Sequence, residues 1–260
     1  MLVALASSDG GRRAAALVEL ARTRAPLSRT VVSAVIACLA IPDKRVQRLA
    51  ADLLRDVAAE LRPDVIAGLR AAIVSDDPDG RFGAAQALGR LGVVDLAMLP
   101  PLFEALGGLD GDRRWAAAEL ITTCARVDAD RVVAALLAAV GDDVAERRKM
   151  ALYVLRDVAP GRPEVRDATA RALVDPAVGV RFAALAALVR LEPLPADACD
   201  LVLARVRTDP DAGLRRAALT ALGEIGRGVA AVEREVVAAE SSDDPATRRA
   251  AAIARRRLAT

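Results

Sequence analysis

The chain is 260 residues long, 54% apolar yet only 2% aromatic, and it sets 37 Lys and Arg against 35 Asp and Glu with no histidine. The missing imidazole removes His-based general bases, Ser–His and Cys–His dyads and most zinc and haem sites, and the balanced charge speaks against a protein built chiefly to grip nucleic acid. A core that must rely on Ala, Leu and Val, with few of the β-branched or aromatic runs that announce strands, predicts an all-α fold.

The N-terminus, MLVALASSDGG, has no basic stretch ahead of its short apolar run. It reads as a stub of helix from Leu2 to Ser7 rather than as a signal peptide. A repeating pattern then begins: an Asp-rich turn, often with Pro, followed by a helix carrying Arg, Ala three residues later and Leu seven later. Its anchors are Arg13, then Val46 standing in for the arginine, then Arg81, Arg113, Arg148, Arg181, Arg215 and Arg248. Ala follows at Ala16, Ala84, Ala116, Ala151, Ala184, Ala218 and Ala251, and Leu at Leu20, Leu53, Leu88, Leu120, Leu155, Leu188 and Leu222. Successive anchors lie 32 to 35 residues apart.

Offsets 0, 3, 4 and 7 share one helical face, so each copy predicts an amphipathic helix with an Ala/Leu stripe. Asp supplies the expected N-cap and Pro the first turn at Asp175-Pro176, Asp209-Pro210 and Asp244-Pro245. Gly92 and Gly226 stand where C-cap glycines are expected. Between these B helices lie seven further helical stretches, near 28–40, 63–74, 100–107, 129–140, 163–174, 196–207 and 229–240, three of them opened by Pro63, Pro101 and Pro163. One A/B pair cannot bury both of its faces, so the units must stack. The prediction is a right-handed α-solenoid of about eight stacked antiparallel helix pairs, a single repeat domain over residues 1–260. Its first and last copies serve as caps: the last, TRRAAAIARRRLAT, puts Arg255 where Leu is expected.

The stretch LPPLFEALGGLDGDRRWAAAEL (Leu99 to Leu120), with ALGRLG and ALGEIG, resembles HEAT repeats. The likeness is to the short bacterial type first named from phycobilisome lyases, and it covers essentially the whole chain. The resemblance implies an armadillo-like superhelix in which turn Asp and helix-B Arg form a ladder between neighbours. Arg13, Arg81, Arg113, Arg148, Arg181, Arg215 and Arg248 are then structural, with a break at Val46. It implies no single activity, because the repeat serves scaffolds, adaptors, lyase subunits and regulators.

Offsets 2, 5 and 9 point away from the stripe, toward the side that usually lines the concave surface of such stacks. Trp115, Met150 and Tyr153 fall there, flanked by Arg114 and Lys149, and make the candidate partner-binding patch, since Trp and Tyr are favoured interface anchors. The competing reading packs Trp115 sideways between repeats as core. Offset 9 gives Arg22, Arg55, Arg90, Arg190 and Arg257, broken by Thr122, Asp157 and Glu224. Cations in a last turn complement the helix dipole and need no phosphate. The acid pairs Asp76-Asp77, Asp142-Asp143 and Asp243-Asp244 sit at capping turns, and no Walker, GxGxxG or GxSxG motif is present. Cys38, Cys124 and Cys199 form no CxxC pair, and Cys38 and Cys199, in apolar helical stretches, read as small buried apolar residues in a reducing compartment.

The expectation is a non-enzymatic protein-interaction scaffold or adaptor of the bacterial cytoplasm, with no cofactor and no metal, binding a protein partner on its concave face. Two alternatives follow from the resemblance. One is nucleic-acid binding, as in HEAT-like alkylpurine glycosylases, against which the scarcity of aromatics counts. The other is a chromophore lyase-like subunit, against which both the scarcity of aromatics and the absence of histidine count.

Overall fold

The computed structural model describes residues 1–23 and 27–259, and every regular element among them is helical. They divide into two compact units, Met1–Ala105 with Asp110–Val127, and Leu106–Leu109 with Asp128–Thr260. The first unit carries α1 (Leu2–Leu5), α2 (Gly10–Thr23), α3 (Arg29–Ala37), α4 (Lys44–Arg55), α5 (Arg62–Ile73), α6 (Pro78–Arg90), α7 (Leu99–Leu106, whose last residue counts with the second unit) and α8 (Gly111–Cys124). The second carries α9 (Ala129–Val140), α10 (Ala145–Val158), α11 (Pro163–Ala172), α12 (Val178–Leu188), α13 (Ala198–Thr208), α14 (Ala212–Ile225), α15 (Ala230–Glu240) and α16 (Pro245–Ala259). Thr260, the last residue of the capping sequence, lies outside the described residues.

Odd-numbered A helices alternate with even-numbered B helices, and within each unit every B helix touches the next. In the first unit α2 packs on α4, α4 on α6 and α6 on α8; in the second α10 packs on α12, α12 on α14 and α14 on α16. The A helices do the same where α3 meets α5, α9 meets α11 and α13 meets α15. Contact between alternate elements is what stacked helix pairs require, because an isolated pair leaves one apolar face in water.

The buried stripe follows the sequence pattern in five B helices: Ala84, Ala85 and Leu88 in α6, Ala184, Leu185 and Leu188 in α12, and Ala218, Leu219 and Leu222 in α14 are all buried, as are the matching residues of α2 and α10. Each such Leu contributes up to about 1.5–3 kcal/mol. In α4 and α8 the stripe sits one residue later than expected. Val46, Ala50, Ala51 and Leu54 are buried in α4 while Leu49 and Leu53 are half-buried; in α8 it is Ala117, Ala118, Ile121 and Cys124, with Ala116 and Leu120 half-buried. The anchors of these two helices are therefore Gln47 and Arg114, not Val46 and Arg113. With that correction successive anchors are 34, 34, 33, 34, 33, 34 and 33 residues apart.

The caps fall into the same register. Four residues before the anchor, Asp43, Asp77, Asp110 and Asp211 accept hydrogen bonds from first-turn amides, as do Asp9 and Asp244. Val144 and Ala177 occupy that place before α10 and α12 and offer no side-chain cap. There Asp142 and Asp175, two residues earlier, accept from Val144 N and Ala177 N, each at 2.8 Å. Asp175 and Asp209, expected as N-caps, are thus not caps; they stand six residues before the anchor.

Gly92 is left-handed (φ +72°) and closes α6, with Val93 N donating to Leu88 O and Gly92 N to Gly89 O. Gly226 is the C-cap of α14 but keeps φ −101°, and the left-handed residue there is Gly228. Glycine at 226 answers crowding instead: a Cβ would lie 2.6 Å from Val232 Cγ1. Arg255 is exposed on α16 and pairs with Glu240, as suits a polar outer face.

Candidate partner-binding site

One bond recurs among the anchors. Arg81, Arg148, Arg181, Arg215 and Arg248 each donate from Nη1 to the carbonyl six residues back, at 2.7–2.9 Å. Arg13 Nε donates to Ser7 O in the same way. Gln47 takes the role in α4, its Nε2 donating to Ile41 O at 2.8 Å and Leu39 O at 3.2 Å. These carbonyls lie in the turn before each B helix, where a lost partner would leave a polar group under-satisfied.

Arg148 and Arg181 each add a ladder rung to the next turn. Arg148 binds Asp175 through two bonds of 2.8 Å, and Arg181 binds Asp209 at 2.8 and 2.9 Å. Arg81 reaches Glu104 at 2.6 Å instead, and Arg215 finds Ser242 where a rung would need a carboxylate. Arg113 stands one residue before the anchor: it bonds Asp79 on the preceding B helix, and its guanidinium lies 4.5 Å from the centre of the Phe82 ring. Burial pushes the Asp209 carboxyl up, but the Arg181 hydrogen bonds, the Asp211 N–H and the charges of Arg181 and Arg205 outweigh it and hold the group below the usual carboxylate value. Asp175 is lowered by the same balance, against burial, through Arg148 and the Ala177 N–H.

The expected patch is only partly at the surface. Trp115 is 59% exposed, but it lies one residue past the anchor of α8 rather than two. It shares its row in the first unit with Arg48 and Phe82, and Arg114 beside it is the half-buried anchor itself. Met150 is 1% exposed and belongs to the core of α10, which corrects its expected place at the surface. A stacked B helix has neighbours on both flanks, so its buried arc is wider than a single stripe. Gly83, Ala183 and Ala250, also two past their anchors, are buried as well. Tyr153 is half-buried with Arg156 5.3 Å from its ring centre, and Lys149 pairs with Glu146 at 2.6 Å.

Four members of the arginine row carry their own counter-charges. Arg22 pairs with Glu19, Arg55 with Asp52 and Asp56, Arg90 with Asp52, and Arg257 with Glu224. Among the described residues no group of three metal-ligating side chains is placed to hold an ion. No helix among them is long and apolar enough to cross a membrane. Burial raises the thiols of Cys38, Cys124 and Cys199, away from reactive thiolate.

One feature of the B-helix side had no place in the sequence reading. In the first unit a cleft of about 310 Å³ opens between α4, α6 and the start of α8. Lys44 on α4 spans its mouth to Asp110, the N-cap of α8, and to Asp112 in its first turn, at 3.0 and 2.9 Å. The floor is recessed because α6 presses onto the turn after α3: a Cβ on Gly83 would lie 2.8 Å from Leu39 O. The corrected spacing is the sequence signal for this arrangement, since it puts Gln47 and Arg114 on the stripe and leaves Arg48 and Arg113 beside it.

Residues 32–122 match the family model for HEAT repeats. No curated protein matches the sequence. Among solved structures, an engineered protein is similar over 99% of this chain and 77% of its own, at 20% identity and TM-score 0.52. YIBA_ECOLI is similar over 98% of this chain and 91% of its own, at 15% identity and TM-score 0.55. Kap121p is similar over 99% of this chain but only 37% of its own length, at 10% identity and TM-score 0.62. At such identities the likeness is one of fold, that of helical-repeat solenoid proteins.

Proposed function

Starting from HEAT repeats over residues 32–122 within a helical-repeat fold, we propose that this chain is a non-enzymatic scaffold or adaptor that binds a protein partner through its B-helix face. The observation that carries the reading is Trp115, whose side chain is mostly in solvent on α8 of a chain with a single Trp. Keeping a large aromatic in water is costly unless a partner covers it, and Trp is among the residues that dominate interface energies. Arg114 flanks it, while Tyr153 and Lys149 offer a second polar-aromatic contact region on α10. Met150, being buried, has no part. The acid pairs serve as turn and cap residues, and no histidine is available for proton transfer. Free cysteines at 38, 124 and 199 suit a reducing compartment such as the bacterial cytoplasm.

The test is a photo-crosslinking side chain at position 115 in the native host, followed by mass spectrometry. The expected result is one protein crosslinked from this position and not from the exposed Val174. Capture of that protein by the purified chain should fall at least about tenfold on Trp115→Ala. Crosslinks no more specific from 115 than from 174 would defeat the reading.

A further inference from the structure

The cleft between α4, α6 and α8 holds two polar side chains without partners, and their chemistry specifies its occupant. Each of its acids is already answered: Asp79 by Arg113, and Asp110 and Asp112 by Lys44. The Lys44 bridge lowers the Asp110 carboxyl through its hydrogen bond and is itself strengthened by both carboxylates, which raise the Lys44 amine. Arg90, at the far end, is shared with Asp52 at 3.4 Å. Arg48 differs. It lines the cleft and is exposed, and among the described residues it has neither an ion pair nor a hydrogen bond. Gln86 lines the opposite wall, half-buried and likewise without a hydrogen-bond partner. The groups in the cleft without a partner are therefore one guanidinium, with five donors and no acceptor, and one amide that both donates and accepts.

We propose that this cleft is a binding site for an acidic peptide segment, whose side-chain carboxylate pairs with Arg48 while Gln86 hydrogen-bonds the adjoining main-chain amide. Carboxylate is the anion that the planar fork of a guanidinium holds through two parallel bonds. The Gln86 amide matches a peptide unit in both directions, which a simple anion would leave half used. Phe82 and Ala51 supply an apolar wall for the segment's side-chain stem. The volume lies at the small end of ligand clefts, roughly 300–1,000 Å³, so it takes a few residues of an extended chain rather than a folded surface. A basic segment would meet Arg48 with like charge and would compete with Lys44 for Asp110 and Asp112. This inference rests on the scaffold reading above and names the chemistry of one contact within it.

The experiment is fluorescence anisotropy of the full chain with a fluorescein-labelled peptide of roughly nine residues, in which Glu alternates with Gly and Leu. Two counterparts replace Glu by Gln and by Lys. The Glu peptide should bind, the Gln peptide at least about tenfold more weakly, and the Lys peptide not at all. Arg48→Glu should cost at least about tenfold in affinity, whereas Arg126→Glu, an equal charge change on an exposed residue outside the cleft, should stay within about twofold. Gln86→Trp fills the cleft without altering charge and should abolish binding, with thermal melting confirming that each variant is folded. Equal losses for Arg48→Glu and Arg126→Glu, full binding by Gln86→Trp, or a preference for the Lys peptide would each overturn the assignment. Trp115-dependent capture of a partner by a chain that ignores the Glu peptide would remove the cleft and leave the scaffold. Peptide binding without a Trp115-dependent partner would do the reverse.

Discussion

Arg181 of α12 holds Asp209, in the turn before α14, through two hydrogen bonds of 2.8 and 2.9 Å, and the Asp209 side chain has no exposed surface. The same guanidinium donates to Asp175 O at 2.8 Å, so one side chain ties the start of its own helix to the next turn. Arg205 adds a second cation 3.8 Å from Asp209.

Removing one partner of a buried pair strands the other, which typically costs about 3–5 kcal/mol. Asp209→Asn should therefore lower the stability of the second unit by several kcal/mol in urea unfolding. Asp175→Asn should cost less, because Arg148 and Asp175 keep 13% and 11% of their side-chain surface exposed.

The pair also sets an acid response. Asp209 and Asp175 are both held below the ordinary carboxylate value when folded. Groups depressed on folding contribute stability that is present above the unfolded value of about 3.9 and is lost as pH falls through the folded one. Melting temperature should stay level above about pH 5 and drop below about pH 4. In Asp209→Asn that acid limb should be shallower, which calorimetry across the range would read.

The register of α4 gives a sharp mutational contrast. Val46 is fully buried, so Val46→Arg places an unpaired cation in the core and should unfold at least the first unit. Gln47→Ala takes its donor from Leu39 O and one of two donors from Ile41 O, which keeps Asp43 N, and should cost about 1–3 kcal/mol. If Val46→Arg melted like the parent chain, the anchor would be at 46 after all.

Close approach of α14 and α16 depends on Gly223, where a Cβ would sit 2.6 Å from Ala254 Cα and 2.8 Å from Ala254 O. Both atoms are backbone and cannot turn aside, so Gly223→Ala should destabilise the last helix pair by about 1–3 kcal/mol. Hydrogen exchange should show the loss in α14 and α16 first. Leu188→Asp, at a fully buried stripe position of α12, should unfold the surrounding pairs.

The repeat period, the helix class and most of the Ala/Leu stripe were legible in the sequence because Arg, Ala and Leu recur at offsets that one helical face must satisfy. The slips came where that signal is ambiguous. Arg113 and Arg114 are neighbours, and only the burial of Ala117, Ala118 and Ile121 separates anchor from flank. In α4 no arginine marks the place, and Gln47 performs the bond without the charge. Asp175-Pro176 and Asp209-Pro210 look like caps because Asp–Pro suits a helix start. The real caps come two residues later, and one of them, Ala177, has no side-chain oxygen. Met150 was misplaced because a helical wheel accounts for one packed face, whereas a stacked helix also buries its flanks. The cleft was invisible because Lys44 and Asp112 are 68 residues apart and meet only after two further helix pairs have formed.

The bond from an anchor to the carbonyl six residues back has a consequence for how such a chain can grow. Donor and acceptor lie inside the same short stretch, so a segment of one period, copied or excised whole, carries its own alignment mark with it. The rungs at Arg148 and Arg181 are different, for each needs a carboxylate that belongs to the following copy. Shuffling of copies would therefore preserve every internal bond and scatter the shared ones, leaving rungs as the record of which neighbours have stayed together.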